Sequence, residues 1–123
     1  ATDAVHAWLA EHAHGALSVS DWTITETASA LSMKVHLGHL TEDQRRDVDE
    51  VLADWLDASL EVVPVPRATF DDAARLLRRH DTGLGAGDAV HLVTAGLHGA
   101  RLVTLDRRQA DAALALGHDG IEP

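Results

Sequence analysis

The sequence predicts an α/β fold in which a mostly parallel sheet carries helices on both faces. Two observations lead there. Short apolar stretches at residues 17–20, 60–63 and 101–105 alternate with longer stretches of helical periodicity, one or two at a time, the pattern of strands joined by helical crossovers. One acid, Asp88, falls in the first turn of a helix and a second, Asp106, at the end of the strand that follows it, with Glu26 on an earlier helix, and open parallel sheets gather their ligands at the carboxyl ends of the strands.

The elements follow in order. Ala4–His14 places Val5, Trp8, Leu9 and His12 at helical spacing, with Gly15 as its stop. Leu17–Ser20 alternates and reads as a strand. Ser20 or Asp21 caps a helix over Trp22–Leu37, whose inner face is Ile24, Ala28, Leu31 and Val35 and whose end is Gly38. Thr41 and Gln44 form a capping box for a helix running to about Asp57, with Val48, Val51, Leu52 and Trp55 expected inside. Leu60–Val63 is the second strand, limited by Pro64 and Pro66. Ala68–His80 is helical, with Phe70, Ala73, Ala74 and Leu77 inward, and the glycine-rich 81–87 segment is a loop. Asp88–His98 is a mostly apolar helix closed by Gly99. Arg101–Leu105 is a strand, Arg107–Leu116 a helix stopped by Gly117, and the tail around Ile121 adds a short final strand.

Length and composition set limits. The chain has 123 residues, which predicts one domain over 1–123, and 46% of it is hydrophobic. Aromatics make up 3%, so the core must be Ala, Leu and Val, with Trp8, Trp22, Trp55 and Phe70 as its large fillers. Without cysteine there is no disulfide, thiolate metal site or cysteine nucleophile. No apolar run reaches the length of a membrane span and no signal peptide is visible, so the expected location is cytoplasmic. The net charge of −10 argues against binding nucleic acid by charge alone. It leaves room for an enzyme that reaches phosphate through a metal. The basic residues cluster at Arg75, Arg78 and Arg79 and at Arg101, Arg107 and Arg108.

Three acids and one hydroxyl are the candidate site. Asp88 follows Gly85-Ala86-Gly87 and opens a helix; it is either a ligand or an acid favoured by the helix dipole. Asp106 ends the third strand; it is either a ligand or the N-cap of the next helix. Glu26 lies about one turn into the helix after the first strand and is either a third ligand or a solvated side chain. Thr104 points to the same side of its strand as Asp106. Carboxylate oxygens suit a hard cation such as Mg2+ or Mn2+. His91 shares a helix face with Asp88 but sits in an apolar run and reads as a core histidine. There is no HExxH zinc pattern, Walker loop or GxSxG elbow.

Three motifs, in order, resemble the PIN-domain ribonucleases and among them the VapC-type toxins of bacterial toxin–antitoxin pairs. They are Thr25-Glu26-Thr27-Ala28-Ser29-Ala30-Leu31, Gly87-Asp88-Ala89-Val90-His91-Leu92-Val93-Thr94-Ala95, and Leu102-Val103-Thr104-Leu105-Asp106-Arg107-Arg108. The resemblance implies a PIN-like three-layer sandwich and Mg2+- or Mn2+-dependent cleavage of RNA. It also implies metal ligation by Glu26, Asp88 and Asp106 with help from Thr104, a homodimer, and an antitoxin partner. The family adds a further Asp at the end of an amino-terminal strand. This chain opens at Ala1-Thr2-Asp3, in what corresponds to a later helix, so that strand and its acid are expected to be missing from the sequence. The alternatives are a PIN-like binding module that no longer cuts and another Mg2+-dependent α/β phosphohydrolase.

Overall fold

A computed structural model describes residues 2–11, 17–104, 106–117 and 120–121. Its elements are α1 (Thr2–Glu11), β1 (Leu17–Ser20), α2 (Asp21–His36), α3 (Glu42–Ala58), β2 (Leu60–Val63), α4 (Arg67–Leu76), a 3-10 turn (His80–Thr82), α5 (Ala86–Leu97), β3 (Leu102–Val103), α6 (Arg107–Ala115) and β4 (Gly120–Ile121). The fold is α/β, with parallel strands flanked by helices. The chain forms two compact units, residues 16–64 and residues 1–15 with 65–123.

In the 16–64 unit β1 and β2 pair in parallel, with Leu17 opposite Leu60 and Ser20 opposite Val63. Parallel neighbours need a long crossover, and α2 with α3 supply it. Ser20 leaves the strand in an extended conformation and caps α2: its hydroxyl accepts the Thr23 N–H at 3.3 Å, and the Thr23 hydroxyl accepts the Ser20 N–H at 3.4 Å. A threonine thus fills the place a capping box usually gives to Glu or Gln. Past the end of α2, Gly38 takes φ +77°, a left-handed turn that a side chain would strain. Thr41 and Gln44 form the expected box at 3.1 and 2.9 Å, and Arg45 ties α3 to α2 by donating to the Ala28 carbonyl at 3.4 Å.

The apolar faces of these helices are less covered than their periodicity predicts. Val51 is 65% exposed and Trp55 39%, while Val48 and Leu52 are half-buried. Ile24 is 40% exposed. Each strand adds only about 4.8 Å of sheet width, so two short strands offer little surface for two helices to cover. Ile24, Leu31, Leu52, Trp55, Leu56 and Leu60 instead line an open groove of about 310 Å³ within this unit.

The core of the other unit is made of small residues. Ala73, Ala89, Val90, Leu92, Ala110, Ala112 and Ala113 are buried, with Thr69, Thr94 and Gln109 among them. Alanines on α4 and α5 let those helices pack against each other. Leu92 is fully enclosed. The large fillers expected from the sequence do not occupy this core: Phe70 is 44% exposed and Trp8 only half-buried, as Trp22 is in its own unit. Helix α4 also stops at Leu76 rather than His80; Leu77 is its cap and half-buried, Ala74 is exposed, and a 3-10 turn follows.

Helix α5 ends at Leu97, and Gly99 at φ +58° turns the chain sharply into β3. Within the described residues β3 is shorter than the expected strand, comprising Leu102 and Val103. It pairs in parallel with β4 through Leu102 opposite Gly120 and Val103 opposite Ile121. Helix α6 packs on β4. The predicted end of the first helix at His14 and Gly15, the side chain of Val5, and Leu105 lie outside the described residues. Among the described residues no helix is long and apolar enough to cross a membrane.

Candidate active site

The chain leaves β3, passes Thr104, and enters α6 through Asp106. Asp106 is the N-cap: its Oδ1 accepts the Arg108 N–H at 2.9 Å and the Gln109 N–H at 3.4 Å. Its own N–H donates to the Thr104 hydroxyl at 3.0 Å. The capping role weighed for this residue therefore exists, and it engages one carboxylate oxygen. The other, Oδ2, stands 3.7 Å from the Arg108 guanidinium, and the side chain is 42% exposed. Thr104 is half-buried and acts on the backbone of Asp106.

Asp88 is the third residue of α5 and half-buried. The N-cap of that helix is Gly85, which has no side chain to bond the first N–H groups. A Cβ added at Gly85 would meet nothing within 4 Å, so space is open beside the helix start. A short turn joins α5 to β3, and the two pack together.

Glu26 belongs to the other unit, as the sixth residue of α2, and is half-buried. Among the described residues no three His, Asp or Glu side chains are gathered as a group that could hold a metal ion. His91, one turn after Asp88, is half-buried, and Asp3 is exposed on α1. Mg2+ is commonly held by one or two carboxylates, with waters and substrate phosphate completing its shell. Asp88 and the Oδ2 of Asp106 are carboxylates of that chemistry, each on its own helix start.

Arg75 pairs with Asp72 at 2.8 Å and Arg79 with Asp81 at 3.1 Å. The hydrogen bond from Arg79 holds the Asp81 carboxyl below its ordinary range. Arg101, Arg107 and Arg108 are exposed around β3 and α6. The contact of Arg108 with Asp106 is the feature sequence reasoning missed. The spacing Thr-x-Asp-x-Arg was there to signal it, once Asp106 is read as a cap rather than a strand end.

The PIN domain family matches residues 1–114. The crystal structure of PAE2754 from Pyrobaculum aerophilum superposes with a TM-score of 0.65 and 24% identity, covering 97% of this chain and 84% of that one. At that identity the likeness speaks for the fold. No match is found among curated proteins.

Proposed function

The chain belongs to the PIN-domain family, and on that premise we propose that it is a Mg2+- or Mn2+-dependent endoribonuclease, the toxin of a VapC-type toxin–antitoxin pair. Residues 1–123 are read as one PIN-like domain. The family is generally one of metal-dependent nucleases, and its match spans Glu26, Asp88, Thr104 and Asp106. The observation that carries the reading is the family match over residues 1–114, and the open space beside the start of α5, the helix of Asp88, supports it.

In this reading Asp88 and the Oδ2 of Asp106 hold the cation and Glu26 contributes a third carboxylate. A bound divalent cation would polarise water and offset the charge building on the phosphate. Thr104 fixes the backbone at Asp106 and so sets the direction of its free oxygen. Arg107 and Arg108, exposed beside it, bind RNA phosphates. The substrate is single-stranded RNA, the protein partners are an antitoxin and a second copy of the chain, and the setting is the cytoplasm.

The test is cleavage of single-stranded RNA by the full-length protein with Mg2+ or Mn2+, beside Asp88→Asn. Cleavage that stops with chelator and in the variant, at unchanged circular dichroism, is the expected result. Cleavage indifferent to Asp88 would overturn the site. Phosphate release from small monoesters in place of RNA cleavage would turn the assignment to the phosphohydrolase alternative. The toxin role predicts growth arrest on expression that requires Asp88 and is relieved by the antitoxin.

A further inference from the structure

We propose that the groove between α2 and α3 seats a basic, amphipathic helix of a partner protein, which completes an interior that residues 16–64 do not close for themselves. The inference goes beyond the reading above and uses neither its metal nor its RNA.

The first observation is the lack of cover. Among the described residues of α2 and α3 none is buried, and the buried side chains of this unit are Ser20 and Val63, one at the end of each strand. Both helices are nonetheless well started, by the reciprocal caps at Ser20 and Thr41. Ile24, Val51 and Trp55 stay exposed beside them. Amphipathic helices draw most of their stability from packing of the apolar face, so this pair is built for a further layer.

The lining selects a helix for that layer. Ile24 and Leu31 on α2 face Leu52 and Leu56 on α3, at helical spacing on both walls. Side chains spaced in the same way on a third helix interdigitate with such ridges. An extended peptide would instead press unpaired N–H and C=O groups against apolar walls.

Charge selects its composition. Residues 16–64 hold ten Asp or Glu against three Lys or Arg, a net −7 of the chain's −10. Arg45 and Arg46 are already paired with Asp49 and Asp43 on the same helix. Asp47 and Asp54 stand one turn to either side of Val51 and are exposed, and Asp49 lines the groove itself. A second copy would bring a matching −7 and be repelled, as would RNA or an anionic membrane. Lys and Arg flanking apolar anchors answer this surface.

The experiment titrates the full-length protein, by calorimetry at low and high salt, with a Leu/Lys peptide whose leucines fall at helical spacing. A scrambled peptide of identical composition and a Leu/Glu counterpart are the controls. The Leu/Lys helix should bind at least about tenfold more tightly than either and slow amide exchange within 21–58. Ile24→Ala and Trp55→Ala should weaken it by about five- to tenfold. Asp47→Asn with Asp54→Asn should weaken it by about two- to tenfold, less at high salt. Leu114→Ser, an exposed leucine of the other unit, should leave it unchanged. Equal binding of the scrambled peptide, exchange protection confined to residues outside 16–64, or indifference to both groove variants would overturn the proposal. The exchange measurement on wild type decides the matter if those variants do not fold. A dimer in sedimentation that Trp55→Ala dissociates would give the groove to a second copy and overturn it equally. Failure of peptide binding beside intact, Asp88-dependent RNA cleavage would remove this inference and leave the nuclease reading standing.

Discussion

Replacing Asp106 by alanine or by asparagine separates its structural work from its chemistry. Asp106→Ala deletes the acceptor of two N–H groups at the head of α6, a helix that buries Gln109, Ala110, Ala112 and Ala113. Loss of an N-cap costs about 1 kcal/mol, within roughly 0.5–2. The exposed pair with Arg108 adds about 0–1 kcal/mol. A total of about 1–2 kcal/mol in a chain of 123 residues lowers Tm by about 3–10 °C. Asp106→Asn keeps an oxygen in the capping position and gives up the charge, whose interaction with the helix dipole is worth about 0.3–1 kcal/mol. It should therefore melt between wild type and Asp106→Ala. The assay is a thermal and urea melt in chelator, so that no cation contributes. An asparagine variant as unstable as the alanine one, or an alanine variant as stable as wild type, would refute Asp106 as the cap of α6.

Other perturbations have equally defined outcomes. Thr41→Ala breaks the capping box of α3 and should cost about 0.5–2 kcal/mol by urea unfolding, with Thr41→Ser close to wild type. Leu92→Ala empties a fully enclosed position and should cost about 2–5 kcal/mol, enough to show as lost expression or a collapsed Tm. Asp81, held below the ordinary carboxylate range by Arg79, favours the folded state at pH above that range and loses this contribution as pH falls through its lowered pKa. Asp81→Asn should flatten the acid end of the stability–pH curve slightly, more visibly at low salt than at high, because the pair is exposed.

Local chemistry in the sequence located the elements well, and tertiary cover was where it failed. Strands Leu17–Ser20 and Leu60–Val63 begin and end where their patterns predict. The Thr41–Gln44 box and the glycine stops at 38 and 99 are also where the sequence puts them. Each of these depends on a few neighbouring residues. Val51 and Trp55 sit on the apolar side of α3, as its spacing indicates, yet stay exposed. Periodicity identifies which face is apolar and says nothing about what lies over it. Phe70 fails for the same reason, and the core it was expected to fill is closed by alanines instead. At the candidate site the helix that carries Asp88 was legible, while the strand before Asp106 was read as longer than Leu102–Val103. The cap role of Asp106 was one of the two readings open in the sequence; the approach of Arg108 to Oδ2 was not legible, since it depends on how the chain turns after β3.

The parallel pairing of Leu17 with Leu60 has a kinetic consequence. Residues so far apart in sequence meet only after the chain between them has closed on itself, and closing a long loop costs entropy before any strand contact repays it. Two helices, each started by a reciprocal cap at Ser20 and at Thr41, lie inside that loop and shorten it. The order of events should follow, with α2 and α3 forming early and β1 zipping to β2 late. Substitutions at Thr41 should then slow refolding, while those at Val62 should mainly hasten unfolding.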